Sequence, residues 1–166
     1  MLEMGKWKIL FICLAFIWMG VIFSLSAESA KNSEDTSYQF ARVVAELFVP
    51  NFRELSEEKQ RDFVARIQYP IRKTAHFVEY LILGFFLSSA FYKQGNFLKN
   101  TLPALGGGVL FAVSDELHQF FVPGRVCHIQ DVLIDSTGTL SGVLLFVILF
   151  LFGKRLVKGI SGNFRN

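Results

Sequence analysis

Four long apolar blocks constrain this chain more than any other feature of its sequence. They cover residues 9–25, 74–92, 101–122 and 131–153, and each is about 17–23 residues long, the length that a transmembrane helix needs. At a rise of about 1.5 Å per residue, each block would cross a hydrocarbon core of about 30 Å. The blocks lack the alternation of barrel strands. We therefore predict an all-α membrane protein with four transmembrane helices in a single domain over residues 1–166.

These blocks have two other interpretations. A soluble bundle of buried helices is disfavoured because Val143 to Phe152 is apolar all round and leaves no face for solvent. The first block resembles a cleaved signal peptide, with Lys6 and Lys8 before it and small residues near its end. Trp7 fits a retained helix at least as well. No run of four or more basic residues is present, so nucleic acid is not an expected partner.

The distribution of lysine and arginine predicts how the helices are oriented. One side of the four-helix arrangement carries eight basic residues against one glutamate, Glu3; the eight are Lys6, Lys8, Lys93, Lys99, Lys154, Arg155, Lys158 and Arg165. Short loops and tails rich in these residues stay in the cytoplasm. We expect a multi-pass protein of the cytoplasmic membrane with both termini cytoplasmic and segments 27–73 and 123–130 outside.

The segment 27–73 contains two stretches with helical spacing of apolar residues. One places Phe40, Val43, Val44 and Leu47 on one face, and the other places Phe63, Val64 and Ile67 on one face after a possible N-cap at Ser56. Such amphipathic helices could lie on the outer membrane surface or cap the bundle. Solvated helices packed against loops are an equally good interpretation.

Polar side chains occupy the predicted outward ends of three helices. Because ionisable residues within a membrane are costly, they indicate function by default. One shared pocket explains their placement more economically than three separate polar sites. Its members are Arg72, Lys73, His76, Glu79 and Tyr80 on the second helix, Asp115, Glu116 and Gln119 on the third, Arg125 in the following loop, and Asp131 and Asp135 on the fourth.

The same segments resemble the VanZ-like family of bacterial membrane proteins. The resemblance is carried by a serine-rich exit from the first helix and by the blocks IRKTAHFVEY, SDELHQFFVPGR and DVLIDSTGTLSG, in that order. It implies a small polytopic protein of the bacterial cytoplasmic membrane and cell envelope. It also implies a link to resistance against teicoplanin, a lipid-tailed glycopeptide antibiotic. The family often carries asparagine at the position of Asp135, which argues against a strict two-carboxylate metal site.

Three functions are compatible with the predicted pocket. A binding module would hold an anionic lipid-linked envelope precursor or a lipoglycopeptide through ligand-binding residues Arg72, Lys73, Tyr80, Gln119, Arg125 and Asp135. An embedded hydrolase or transferase acting on a lipid phosphate or lipid-linked sugar would use His76, Glu79, Asp115, Glu116 and Asp131, with Mg²⁺ on Asp115, Asp131 or Asp135. A purely structural bundle would pair these charges with one another. A homo-oligomer is compatible with each of the three.

Overall fold

The computed structural model describes residues 2–92 and 97–163, and this part of the chain is helical without strands. The prediction of an all-α fold is confirmed for it. One short 3₁₀ turn, Phe52–Glu54, lies between the second and third helices. The α-helices are α1 Leu2–Ser26, α2 Ala30–Phe48, α3 Glu57–Phe91, α4 Phe97–Phe120 and α5 Ile129–Asn163.

Three of these helices are long and apolar enough to cross a membrane. The candidate spans are Gly5–Ser26 in α1, the helix Glu57–Phe91 and Ile129–Arg155 in α5, and they contain three of the four predicted blocks. The remaining block, 101–122, forms most of α4, but the acidic and amide side chains near the end of this helix lower its hydropathy. A fourth crossing therefore stays a prediction.

Helix α3 differs from the sequence-based prediction. We expected an amphipathic helix over 57–69 followed by a separate transmembrane helix from residue 74, but one continuous helix covers Glu57–Phe91 and includes Pro70. A proline removes a single helical hydrogen bond, and the helix is held by packing on both sides of Pro70, where Gln68 and Tyr80 are buried. The predicted N-cap is confirmed, because the Ser56 side chain accepts a hydrogen bond from the backbone of Lys59.

Helix α3 lies at the centre of the bundle and packs against α1, α2, α4 and α5. Its most extensive partner is α5, which runs parallel to it: Lys73 pairs with Asp131 near one end of the interface, and the rings of Tyr92 and Phe150 lie 4.3 Å apart near the other. A Cβ atom at Gly142 would collide with the main chain of α3 at Leu81 and Phe85. This glycine therefore sets the close approach of the two helices.

Helix α4 lies alongside α3 at the same level as the candidate spans. The rings of Phe111 in α4 and Tyr80 in α3 are 6.0 Å apart. Gly107, one turn before Phe111, faces Leu87, two turns after Tyr80. Near its carboxyl end, Asp115 accepts a hydrogen bond from Ser26 at the end of α1. The carboxyl ends of α1 and α4 and the amino end of α5 thus meet at one end of the bundle, which we call the polar end.

Helix α2 and the first half of α3 form a hairpin beyond the polar end. The contact between them buries Ala41, Ala45, Phe52 and Val64. The larger apolar residues that suggested an amphipathic α2 lie on another face: Phe40, Val43 and Leu47 are exposed. The packed face of α2 therefore carries small residues, while its large apolar residues point away from the hairpin contact.

Candidate functional site

The polar end contains a narrow crevice between α3, α4 and α5, which we call the three-helix crevice. The space within it does not admit a water-sized sphere. Most of its walls are ionisable or amide side chains, although it lies within a largely apolar bundle. The lining residues are Lys73, His76, Glu116, Gln119, Asp131, Ile134 and Asp135. Six of these seven belong to the set predicted from sequence.

Three carboxyl groups at this end are almost completely buried. Asp115, Glu116 and Asp135 expose 0%, 2% and 2% of their surface. Each has one buried oxygen with no hydrogen-bond partner among the described residues, namely Asp115 Oδ1, Glu116 Oε2 and Asp135 Oδ1. Leaving a buried acceptor without a partner costs about 1–3 kcal/mol, and more for a charged group. The bundle therefore keeps three costly groups where an apolar side chain would stabilise it better.

The other oxygens of two of these carboxyl groups are held in place by hydrogen bonds. Asp115 Oδ2 accepts from the Ser26 hydroxyl at 2.7 Å and from the Gln119 amide at 3.2 Å. Glu116 Oε1 accepts from the backbone N–H of His128, in the loop before α5, at 2.7 Å. These bonds fix the carboxyl groups in orientation, so their free oxygens are preorganised rather than mobile.

Arg125 lies in the loop between α4 and α5 and joins three elements. Its Nε donates to the Glu28 carbonyl at 2.9 Å, and its guanidinium also donates to the Gln119 side chain at 2.9 Å and to the Leu25 carbonyl at 3.5 Å. Partial burial, and next the nearby Arg72 guanidinium, lower the pKa of Arg125, but an arginine in a protein stays protonated. This side chain caps the carboxyl end of α1 and reaches the crevice only through Gln119.

The other predicted cations also have protein partners. Lys73 lines the crevice and forms an ion pair with Asp131. Arg72 lies on the side of α3 that faces α2, where it donates to the Ser37 hydroxyl at 3.1 Å, although its Nε is buried without a partner. The carboxyl groups therefore outnumber the free positive charges around the crevice.

His76, Glu79 and Tyr80 extend the site one to two turns along α3. His76 lines the crevice, and its Nδ1 lies 3.5 Å from Glu79 Oε2. Glu79 also lies close to α1, because its backbone carbonyl accepts a hydrogen bond from the Trp18 indole at 2.8 Å. The Tyr80 hydroxyl is buried without a hydrogen-bond partner and does not line the crevice. The structure thus places an oriented imidazole beside the acidic groups.

A metal site is not preformed in the part of the chain that the structure describes. Over residues 2–92 and 97–163, no group of three His, Cys, Asp or Glu side chains is arranged to hold a metal ion. The predicted Mg²⁺ ligands Asp115, Asp131 and Asp135 all lie at the polar end, but Asp131 is paired with Lys73.

Two residues of the site were not predicted from sequence. Ser26 is buried and donates a hydrogen bond to Asp115. Thr139 is buried one turn after Asp135, and the Thr139 hydroxyl donates to the backbone carbonyl of Asp135. The serine-rich exit from the first helix was the signal that could have identified Ser26. The signal for Thr139 was its position on the same stripe of the helix as Asp131 and Asp135, at i,i+4 spacing.

The helical bundle, its apolar candidate spans and its buried polar end define the class as a helical membrane protein. A family model described as VanZ/LLP1 matches residues 11–151. The chain therefore belongs to the VanZ/LLP1 family, which confirms the resemblance found in its sequence. No curated protein and no solved structure matches the chain.

Proposed function

We propose that this protein binds the polar head of a lipid-linked envelope molecule or of an amphipathic glycopeptide at the three-helix crevice. One observation carries the proposal: Glu116 and Asp135 are buried in the crevice wall with an unpartnered oxygen each, and Asp115 is buried in the same way next to Gln119, which also lines the crevice. A membrane bundle that needs only stability gains little from such groups, because burying an ionisable residue costs several kcal/mol unless it is paired. A ligand that donates hydrogen bonds would supply the missing partners.

The arrangement of charges favours a particular ligand chemistry. Carboxyl oxygens, such as those of Asp135, accept hydrogen bonds from sugar hydroxyls and ammonium groups. The side-chain oxygen of Gln119 in the crevice wall can do the same. A phosphate or carboxylate on the same ligand would lie at Lys73 in the crevice wall, in competition with its present partner Asp131. Arg125 contributes indirectly by orienting Gln119. Because the crevice admits no water-sized sphere, α3, α4 and α5 must separate to admit the ligand.

The orientation of the site in the membrane is part of this proposal. We infer four crossings in the bacterial cytoplasmic membrane, with the termini in the cytoplasm and the polar end facing outward, because α4 lies beside the candidate spans and the basic residues concentrate at the opposite end. Cys127 is exposed in the loop at the polar end, and Cys13 is exposed on α1 within a candidate span. A membrane-impermeant maleimide should label intact cells through Cys127, and Cys127→Ser should remove the labelling. Labelling that requires permeabilised cells would overturn the orientation.

The experiment that tests the function is expression in a susceptible bacterium followed by titration with teicoplanin and vancomycin. We expect the wild-type chain to raise the inhibitory concentration of teicoplanin, as the VanZ resemblance implies. We expect Glu116→Gln to reduce that effect, because it can keep the hydrogen bond from His128 but replaces the free Oε2. Asp62→Asn is a matched control, since Asp62 is exposed on α3 far from the crevice. The amount of membrane-inserted protein is measured for each variant. If the potency of neither drug changes at equal expression, the proposed resistance role is wrong.

A second candidate function is a membrane-embedded hydrolase or transferase acting on a lipid phosphate or lipid-linked sugar. The observation in its favour is the placement of His76 in the crevice wall with Glu79 behind it, an arrangement suited to a general base. His76→Gln keeps hydrogen-bonding capacity and should leave binding largely intact, whereas it would abolish a reaction that needs the imidazole. His118→Gln is the control, because His118 stacks on Phe23 and does not line the crevice.

A further inference from the structure

A second cavity lies at the end of the bundle opposite the polar end, and we call it the aromatic groove. Helices α1 and α5 both pack against the last turns of α3 there, but they make no extensive contact with each other. The gap between them has a volume of about 370 Å³. The residues that line it are Trp7, Lys8, Phe11, Ser89, Tyr92, Phe146, Phe150 and Lys154.

The interior of the groove is apolar and offers few free polar groups. Tyr92 packs on Phe150 and Phe146, with ring centroids 4.3 and 5.8 Å apart. Ser89 forms part of the floor, and its hydroxyl already donates to the Phe85 carbonyl at 2.8 Å. A flexible hydrocarbon chain fits such a slot, because it gains contact with the rings and asks for no hydrogen bonds.

The two rims of the groove carry positive charge. Lys8 lies on the α1 side and Lys154 on the α5 side, and the Lys154 ammonium lies 4.8 Å above the Phe150 ring. Neither lysine forms a salt bridge with a described carboxylate. Two ammonium groups at the mouth of an apolar slot complement a molecule that joins an anionic phosphate to an acyl chain.

We propose that the aromatic groove binds an anionic phospholipid of the adjacent membrane leaflet. One acyl chain would lie between Phe11 and Phe146, and the phosphate would lie between Lys8 and Lys154. A basic residue near a membrane surface strengthens attraction to anionic lipid by about fivefold. The site lies at the other end of the bundle from the three-helix crevice and does not depend on the function proposed for it.

Tryptophan fluorescence can test this proposal in the full-length protein. The chain contains two tryptophans, Trp7 and Trp18, so Trp18→Phe leaves a single reporter in the groove wall. The purified protein in mild detergent is titrated with phosphatidylglycerol or phosphatidylcholine that carries brominated acyl chains, which quench a neighbouring indole. Phosphatidylglycerol should reach half-maximal quenching at a concentration at least about fivefold lower than phosphatidylcholine. Equal concentrations for the two lipids would overturn the proposal.

A matched pair of double variants separates the groove from general surface charge. Lys8→Ala with Lys154→Ala removes both rim charges and should bring the preference close to onefold. Lys6→Ala with Arg155→Ala removes two charges next to the groove that do not line it, and should keep most of the preference. An equal loss in both double variants would show that surface charge explains the binding, and the groove would be rejected.

A second measurement keeps the proposal testable if the Trp18 variant does not fold. Native mass spectrometry of the wild-type chain counts lipid molecules retained after release from detergent, and one phosphatidylglycerol should be retained in preference to phosphatidylcholine. The retained molecule should be lost when both rim lysines are replaced. Retention of the two lipids in equal amounts contradicts the proposal independently of fluorescence.

Discussion

Replacing Gly142 by alanine tests whether close contact between α3 and α5 holds the bundle together. The new Cβ would lie 2.7 Å from the backbone nitrogen of Phe85 and would overlap the backbone carbonyl of Leu81. Main-chain atoms cannot rotate away as a side chain can, so the cost should reach the upper part of the range of about 1–3 kcal/mol for overpacking. The higher helix propensity of alanine offsets up to about 1 kcal/mol. A net loss of about 2 kcal/mol, or roughly 30-fold in the unfolding equilibrium constant, is expected.

The measurement is reversible unfolding of the purified protein in mixed micelles at increasing fractions of denaturing detergent. Gly153→Ala is the control on the same helix, since nothing lies within 4 Å of a Cβ at that position. The control should be as stable as wild type or slightly more stable. If Gly142→Ala unfolds at the same detergent fraction as Gly153→Ala, the described packing of α3 against α5 is wrong.

Three further predictions concern the polar end and the hairpin. Ser26→Ala should destabilise the protein by about 1–3 kcal/mol in the same assay, because the hydroxyl serves a buried carboxyl group; Ser24→Ala, at an exposed site, should cost less. Arg125→Lys should raise amide hydrogen exchange at the end of α1, because one ammonium cannot replace a guanidinium with three acceptors; unchanged exchange would contradict the capping role. The pKa of Glu46 is lowered, above all by its hydrogen bond to Arg53. Its stabilising effect should therefore persist above pH 4.5 and be lost as the pH falls through the lowered pKa, whereas Glu46→Gln should remove that part of the pH dependence of exchange in α2.

Much of the helical architecture could be predicted from the length of the apolar blocks, because few structures other than helices satisfy the backbone hydrogen bonds of such segments in a membrane. The two separate helices expected over 57–69 and from residue 74 were wrong, since the hydrogen bond lost at Pro70 is outweighed by packing on both sides of the proline, where Gln68 and Tyr80 are buried. The face of α2 that packs was also missed. Alanines at positions 41 and 45 carry a weak periodic signal, although they form part of the buried contact with α3.

The members of the candidate site could largely be predicted because ionisable residues are conspicuous in apolar helices. Their partners could not be predicted. The pairing of Lys73 with Asp131 and the capping role of Arg125 depend on how three helices are positioned in space. Ser26 joins the site for the same reason, since it is 89 residues away in sequence from the carboxyl group to which it donates.

The uninterrupted α3 has a mechanical consequence. Its 35 residues span about 52 Å, against about 30 Å for the hydrocarbon layer. This helix must therefore extend beyond the hydrocarbon layer or tilt within it. The same helix contributes Lys73 and His76 to the crevice wall, and α2 packs against its first half. Any widening of the crevice that tilts α3 therefore produces a larger displacement at the tip of the hairpin than at the crevice. A spectroscopic label at the tip would report this displacement.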